Sequence, residues 1–107
     1  MDLRPVAHMI LHFALPAAAA GVAFRKQFMK AWLIMAATML VDLDHLLADP
    51  IYDPDRCSIG FHPLHLYPLF AVYALAALWP KTRLIGIGLL IHMFLDGVDC
   101  FWMQYEN

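Results

Sequence analysis

Residues 5–24 run from Arg4 to Arg25 without a charged side chain. That is the length a bilayer demands of a helix, roughly 20 apolar residues rising about 1.5 Å each. The same pattern recurs, because short charged clusters interrupt the apolar text at membrane-scale intervals. Four helices are predicted, over about residues 5–24, 28–48, 63–79 and 82–103, with a polar outer loop over 49–62. Pro5 falls in the first turn of the first helix, where a missing N–H costs least, and Arg25, Lys26 and Gln27 end it. Asp49-Pro50 stops the second helix and Trp79-Pro80 the third, which is short for a full span. The expected fold is an all-α, integral-membrane four-helix bundle, a single transmembrane domain over residues 1–107.

Composition supports that solvent. Hydrophobic residues make up 63% of the 107 and charged residues 15%, against roughly 45–50% and 25% in soluble domains. A soluble domain this small has too much surface to carry so little charge, and disorder is excluded by the same excess of apolar residues. A net charge of −2 removes the electrostatic footing for nucleic-acid binding. The small residues 17–20 resemble a signal-peptide cleavage site, but Asp2 offsets Arg4 and two histidines interrupt the apolar core, so the segment reads as a retained helix.

Orientation follows from the cations. Arg25, Lys26 and Lys30 flank the first connection and Lys81 and Arg83 the third, whereas the other side has only Arg4 and Arg56 among its acids. Both termini and the long loop are therefore expected to face outward. Cys57 and Cys100 fall on that outer side, where they either pair in an oxidising compartment or stay free thiols.

Titratable groups at membrane depth cost several kcal/mol unless paired or solvated, so they are functional candidates by default. His8 and His12 stand at i, i+4 in the first helix. Asp42, Asp44 and His45 close the second, with Asp42 and His45 on one face. His62 and His65 open the third, and His92, Asp96 and Asp99 form one stripe on the fourth. In this topology four segments deliver all six histidines and four aspartates to the outer half of the bundle. Imidazole and carboxylate together suit zinc, with manganese or iron as alternatives. So many donors exceed the needs of one ion, and two ions bridged by an aspartate are expected. His8, His12, Asp42, His45, His62, His65, His92 and Asp96 are the expected ligands. Asp44 and Asp99 are expected as general base or as partners that hold imidazole tautomers. Arg56 is a candidate phosphate clamp, because guanidinium matches phosphate bidentately.

Each cluster also has a plainer reading. His8 with His12 could be an interhelical hydrogen-bonding pair, and Asp42, Asp44 and His45 a solvated helix end. His62 could simply cap the helix that Pro63 begins. Asp53 and Asp55 read as turn residues. Trp79, Trp102, Tyr67, Tyr73 and Tyr105 read as interfacial belt or packing, and residues 17–21 as a close-packing face.

An early histidine helix, Asp-x-Asp-His at 42–45, His-x-x-His at 62–65 and His-x-x-x-Asp at 92–96 together resemble the predicted bacterial membrane-bound metal-dependent hydrolases. The run Asp53-Pro54-Asp55-Arg56-Cys57-Ser58-Ile59-Gly60-Phe61-His62-Pro63-Leu64-His65 resembles a small uncharacterised family allied to them. The resemblance implies a multi-pass enzyme of the bacterial inner (cytoplasmic) membrane with its metal site facing the periplasm or exterior. Its ligand pattern is distantly similar to that of zinc-dependent phospholipases C, in which the role of bridging carboxylate would fall on Asp96.

The expected function is hydrolysis of a lipid phosphoester, or another lipid ester, at the outer leaflet. The alternative is a metal-binding or metal-handling membrane protein without chemistry, its ions enclosed by protein ligands. A proton relay ranks last, since it would require a connection to the cytoplasmic half, which is almost wholly apolar. Four short helices enclose little volume, which is compatible with a homo-oligomer.

Overall fold

The computed structural model describes residues 3–47, 56, 57, 59, 60 and 62–106, the side chains of His45, Tyr105 and Glu106 excepted. All regular structure among these residues is helical. Helix α1 covers Leu3–Ala23, and a 3₁₀ turn over Arg25–Gln27 reverses the chain into α2, Phe28–Ala37. The chain then continues as a 3₁₀ helix over Thr38–Leu47. After the loop, a 3₁₀ turn at Pro63–His65 leads into α3, Tyr67–Leu78, and α4 runs over Arg83–Glu106. Helices α1 and α4 are long and apolar enough to cross a membrane. With 10 and 12 residues, α2 and α3 are shorter.

The second segment corrects the expectation of one α-helix over 28–48. At Thr38 the hydroxyl donates to the Met35 carbonyl, a side-chain bond that competes with the α-helical ladder. From there the winding tightens for ten residues, well beyond the usual 3–4 of a 3₁₀ run. The tightened stretch carries Asp42 and Asp44. The third helix is also later than expected: His62 and Leu66 have extended backbones (ψ 144° and 147°), so the 3₁₀ turn stands apart from α3.

Helix α4 is the central element and packs against the other three. Ala20, Ala31 and Met35 form one buried cluster that ties α1 to α2, with Leu84, Ile87 and Ile91 of α4 against it. Val41, Tyr73 and Met93 form a second, nearer the loop. Ala20 lies in the small-residue run expected to pack closely, and it is fully buried. The indole N–H of Trp32 donates to the Phe13 carbonyl at 3.0 Å, fastening α2 to α1.

Two glycines set how near α4 can come. A Cβ on Gly86 would stand 2.3 Å from the Ala77 backbone nitrogen, and one on Gly88 2.9 Å from the Met35 Cα. Neither neighbour is a flexible side chain, so backbone would have to move. Gly86→Ala is expected to destabilise the bundle by about 1–3 kcal/mol, read as a lowered Tm in detergent, while Gly97→Ala, which meets nothing within 4 Å, leaves it unchanged or raised.

Among the described residues, polar and charged side chains are buried alongside the apolar core. Arg4, Met35, His62, His65 and Pro16 are the largest fully buried side chains, whereas Val22, Leu40, Leu47, Leu75 and Phe94 are each more than 60% exposed. The polar interior lies at one end of the bundle. Because the segments alternate in direction, the start of α1, the end of the 3₁₀ helix, the start of α3 and the end of α4 meet there.

Candidate metal centre

Asp96 lies at the centre of that end, 4% exposed. Its Oδ1 is 3.0 Å from His8 Nε2 and 3.3 Å from His12 Nε2. Its Oδ2 is 2.8 Å from His65 Nε2 and 3.2 Å from His92 Nε2. Each oxygen of one carboxylate thus faces its own pair of imidazoles. Asp42 Oδ1 joins the second pair, 3.0 Å from His92 Nε2 and 3.3 Å from His65 Nε2. Two donor sets result, Asp42, His65, His92 and Asp96 in one and His8, His12 and Asp96 in the other. Within each set the donor atoms all lie within 4.8 Å of one another. The His12 and His92 rings meet edge to face at 4.5 Å and join the sets.

Hydrogen accounting shows what these sets require. His65 Nδ1 is 2.9 Å from Asp44 Oδ2. A carboxylate only accepts, so Nδ1 carries the hydrogen, and in the neutral ring Nε2 is left as a lone pair. That lone pair faces carboxylate oxygens of Asp42 and Asp96. His12 repeats the arrangement: Nδ1 donates to the His8 carbonyl at 2.7 Å, and Nε2, with no hydrogen-bond partner among the described residues, faces Asp96. Acceptor against acceptor in a buried site is unfavourable, and it is relieved either by a second proton on the ring or by a metal cation between the acceptors.

The spacing fits a metal ion as that cation. Nitrogen and oxygen ligands about 2.0–2.1 Å from zinc stand roughly 3.3 Å apart at tetrahedral angles. The five separations known within the four-donor set run from 2.8 to 3.3 Å, with His65 Nε2 and His92 Nε2 themselves 3.3 Å apart. Asp96 Oδ2 is another buried atom without a hydrogen-bond partner among the described residues.

Local structure explains each placement. His8 with His12 and His92 with Asp96 stand one α-turn apart, so their helices alone present them together. Asp44 accepts the Leu64 backbone N–H at 2.9 Å, and the Leu64 carbonyl accepts the Tyr73 hydroxyl at 2.6 Å. Tyr73, read from sequence as belt or packing, therefore holds the 3₁₀ turn that presents His65. Asp44 contributes no atom to either donor set; it orients the His65 ring, the position of a carboxylate behind a metal-binding imidazole.

Other residues fall elsewhere. His62, expected as a ligand, contributes no atom to either set; it is 1% exposed with its ring 5.6 Å from that of His65. His62 and His65 do not share a helical face, although three residues apart, because His62 precedes the turn on an extended backbone. Asp99 is 3.0 Å from Arg4 Nη1 and 3.9 Å from His8 Nδ1, which makes it the partner of a buried cation. Arg4, an outer cation that the sequence offers as a phosphate clamp or as a partner of aspartates, pairs with Asp99. Arg56 is half-buried and belongs to neither set. The ligand role expected of His45 and the turns expected at Asp53 and Asp55 lie outside the described residues and side chains.

Cys57 and Cys100 form a disulfide across 43 positions of sequence. It fastens the loop to α4 directly beyond Asp99. Closing a loop of that length is worth about 4 kcal/mol in the chain-entropy account, so reduction should lower the Tm of the detergent-solubilised protein by several degrees. An unchanged Tm after thiol-disulfide titration shows full reduction would refute this.

An all-helical bundle whose buried carboxylate is shared between two imidazole groups defines the class: a helical protein with a candidate two-ion metal centre. The chain belongs to DUF6122, a family of unknown function whose profile matches residues 2–103. No curated protein and no solved structure matches it.

Proposed function

We propose that this protein is a membrane-embedded, metal-dependent hydrolase that holds two zinc ions, with manganese or iron as alternatives, and acts on a phosphoester or ester of a lipid. The observation that carries the reading is Asp96, one oxygen toward His8 and His12 and the other toward His65 and His92. The family match brings no activity with it, so kinship with metal-dependent hydrolases rests on this ligand pattern.

The donors of Asp42, His65, His92 and Asp96 would complete one tetrahedral site. His8, His12 and Asp96 would hold a second ion and leave a position open, as catalytic sites do. Bound there, the metal supplies Lewis-acid polarisation and an activated water near neutral pH. Asp44 fixes the His65 ring, and the Arg4–Asp99 pair braces the α1 side of the centre. His8 and Asp42 retain 24% and 31% side-chain exposure while His12, His65, His92 and Asp96 are at 5% or below. Substrate therefore enters between the start of α1 and the end of the 3₁₀ helix.

A lipid substrate and a membrane setting are supported by the surface. Leu3, Leu43, Leu46 and Leu47, beside that opening, are each more than half exposed, an apolar surround that suits acyl chains. The run of residues 28–47 reaches about 35 Å, since 3₁₀ winding rises about 2.0 Å per residue. Cations gather at the end opposite the centre, which supports an outward-facing centre, and a disulfide beside Asp99 suits an oxidising side of a bacterial inner membrane.

The completeness of the four-donor set favours a second reading, a metal-handling protein without chemistry. Elemental analysis of detergent-purified protein and product release from a panel of synthetic phospholipids separate the two. About two ions per chain with turnover supports the hydrolase; ions without turnover on any phosphoester or ester supports metal handling. Absence of bound metal after purification in metal-supplemented medium refutes both.

A further inference from the structure

The end of the bundle opposite Asp96 is charged in one sign only. Arg25, Lys26, Lys30, Lys81 and Arg83 lie at its two connections, and the nearest acids in sequence are Asp2, Asp42, Asp55 and Asp96. Among the described residues Lys30 and Lys81 have neither an ion pair nor a hydrogen bond. Arg83 is braced, its Nε donating to the Ala77 carbonyl at 3.2 Å and its Nη2 to the Leu78 carbonyl at 3.3 Å. Three of the five cations, Lys30, Lys81 and Arg83, line one cavity of about 410 Å³, with Phe24, Pro80 and Leu84 as its apolar wall. A loop charge that serves only to orient a membrane protein has no reason to converge on a cavity.

The cavity does not stop at its polar mouth. It shares Ile34 and Ile85 with a neighbouring cavity of about 360 Å³, lined also by Ala37, Thr38, Leu40, Val41 and Leu89 and almost wholly apolar. From Lys30 to Val41 the helix rises about 18 Å, close to the roughly 15 Å depth of one leaflet's hydrocarbon. A cationic mouth followed by an apolar channel one leaflet deep matches a molecule that is anionic at one end and aliphatic below it.

We propose that this continuous groove binds an anionic phospholipid of the leaflet opposite the metal centre, its phosphate between Lys30, Lys81 and Arg83 and one acyl chain along the seam between α2 and α4. The inference rests on the membrane reading above but not on the metal centre. Basic pockets between spanning helices on the cytoplasmic side recognise acidic headgroups in this way.

The test is delipidated, detergent-purified protein titrated with dioleoylphosphatidylglycerol, dioleoylphosphatidylcholine or glycerol 3-phosphate, followed by native mass spectrometry and Tm. Phosphatidylglycerol is expected to bind and raise Tm, and the other two to do neither. The variant Lys30→Gln/Lys81→Gln/Arg83→Gln should lose about 100-fold in affinity for it, and Ala37→Trp should lower affinity with every cation in place. Equal binding of phosphatidylcholine, or an equal shift with glycerol 3-phosphate, would overturn the proposal, as would undiminished affinity in the triple variant. Metal content and carbonate extraction, measured on the same preparations, report separately on the metal centre and on membrane residence.

Discussion

Alanine at position 96 is expected to strip the protein of metal, from about two ions per chain to none after a chelating desalting step. The size of the effect follows from geometry: the carboxylate reaches four imidazoles, two through each oxygen. Its loss reduces one donor set from four to three and the other from three to two, and removes the negative charge that offsets two dications. Asp96→Asn keeps the shape and one acceptor, so it separates charge from packing and should also lose metal. Asp44→Asn should be milder, about 10- to 100-fold in affinity, because Asp44 supplies no atom to either donor set and acts through the His65 ring and the Leu64 N–H. Elemental analysis of the variants checks this ordering. Full metal content in Asp96→Ala would refute a shared carboxylate, and a larger loss from Asp44→Asn than from Asp96→Ala would reverse the assignment of which residue binds and which orients.

Removing the Arg4 side chain should cost the fold about 3–5 kcal/mol. Arg4 is 1% exposed and its guanidinium stands 3.0 Å from Asp99, so Arg4→Met leaves a carboxylate without its cation in the bundle interior and 3.9 Å from His8. The attraction within such a pair roughly repays desolvation when both members are present; the penalty appears when one is taken away. The double variant Arg4→Met/Asp99→Leu should therefore recover most of the lost stability. Denaturant titration in a fixed detergent reads the cycle. A single variant within about 0.5 kcal/mol of the parent would show that the pair is solvated rather than buried.

Parts of this centre were legible in the chain because they are local. His8 with His12, and His92 with Asp96, are neighbours wherever their segments are helical, and both segments are. The alternation of four helical segments, set by charged clusters and prolines, then gathers at one end of the bundle the ends that carry these residues. Local reasoning failed where winding changed. Asp42 and Asp44 ride on a 3₁₀ stretch that begins with the Thr38 hydroxyl bond, a competition between side chain and ladder that periodicity does not register. His62 and His65 stand three apart, a helical spacing, but without helical geometry, because His62 precedes a turn.

Hydrophobic content and the spacing of charge were enough to determine an all-helical chain with the residues of both donor sets at one end, since both depend on solvent transfer and on repeat lengths of a few residues. Partners distant in sequence were decided only by the tertiary structure. Whether Cys57 meets Cys100, which oxygen of Asp96 faces which imidazoles, and that Arg4 belongs to Asp99 all depend on the rotation and depth of each helix against the next. Those are set by side-chain volume at close contacts, such as Gly86 against Ala77 and Gly88 against Met35. A linear pattern carries the residues that could meet; packing selects the atoms that do.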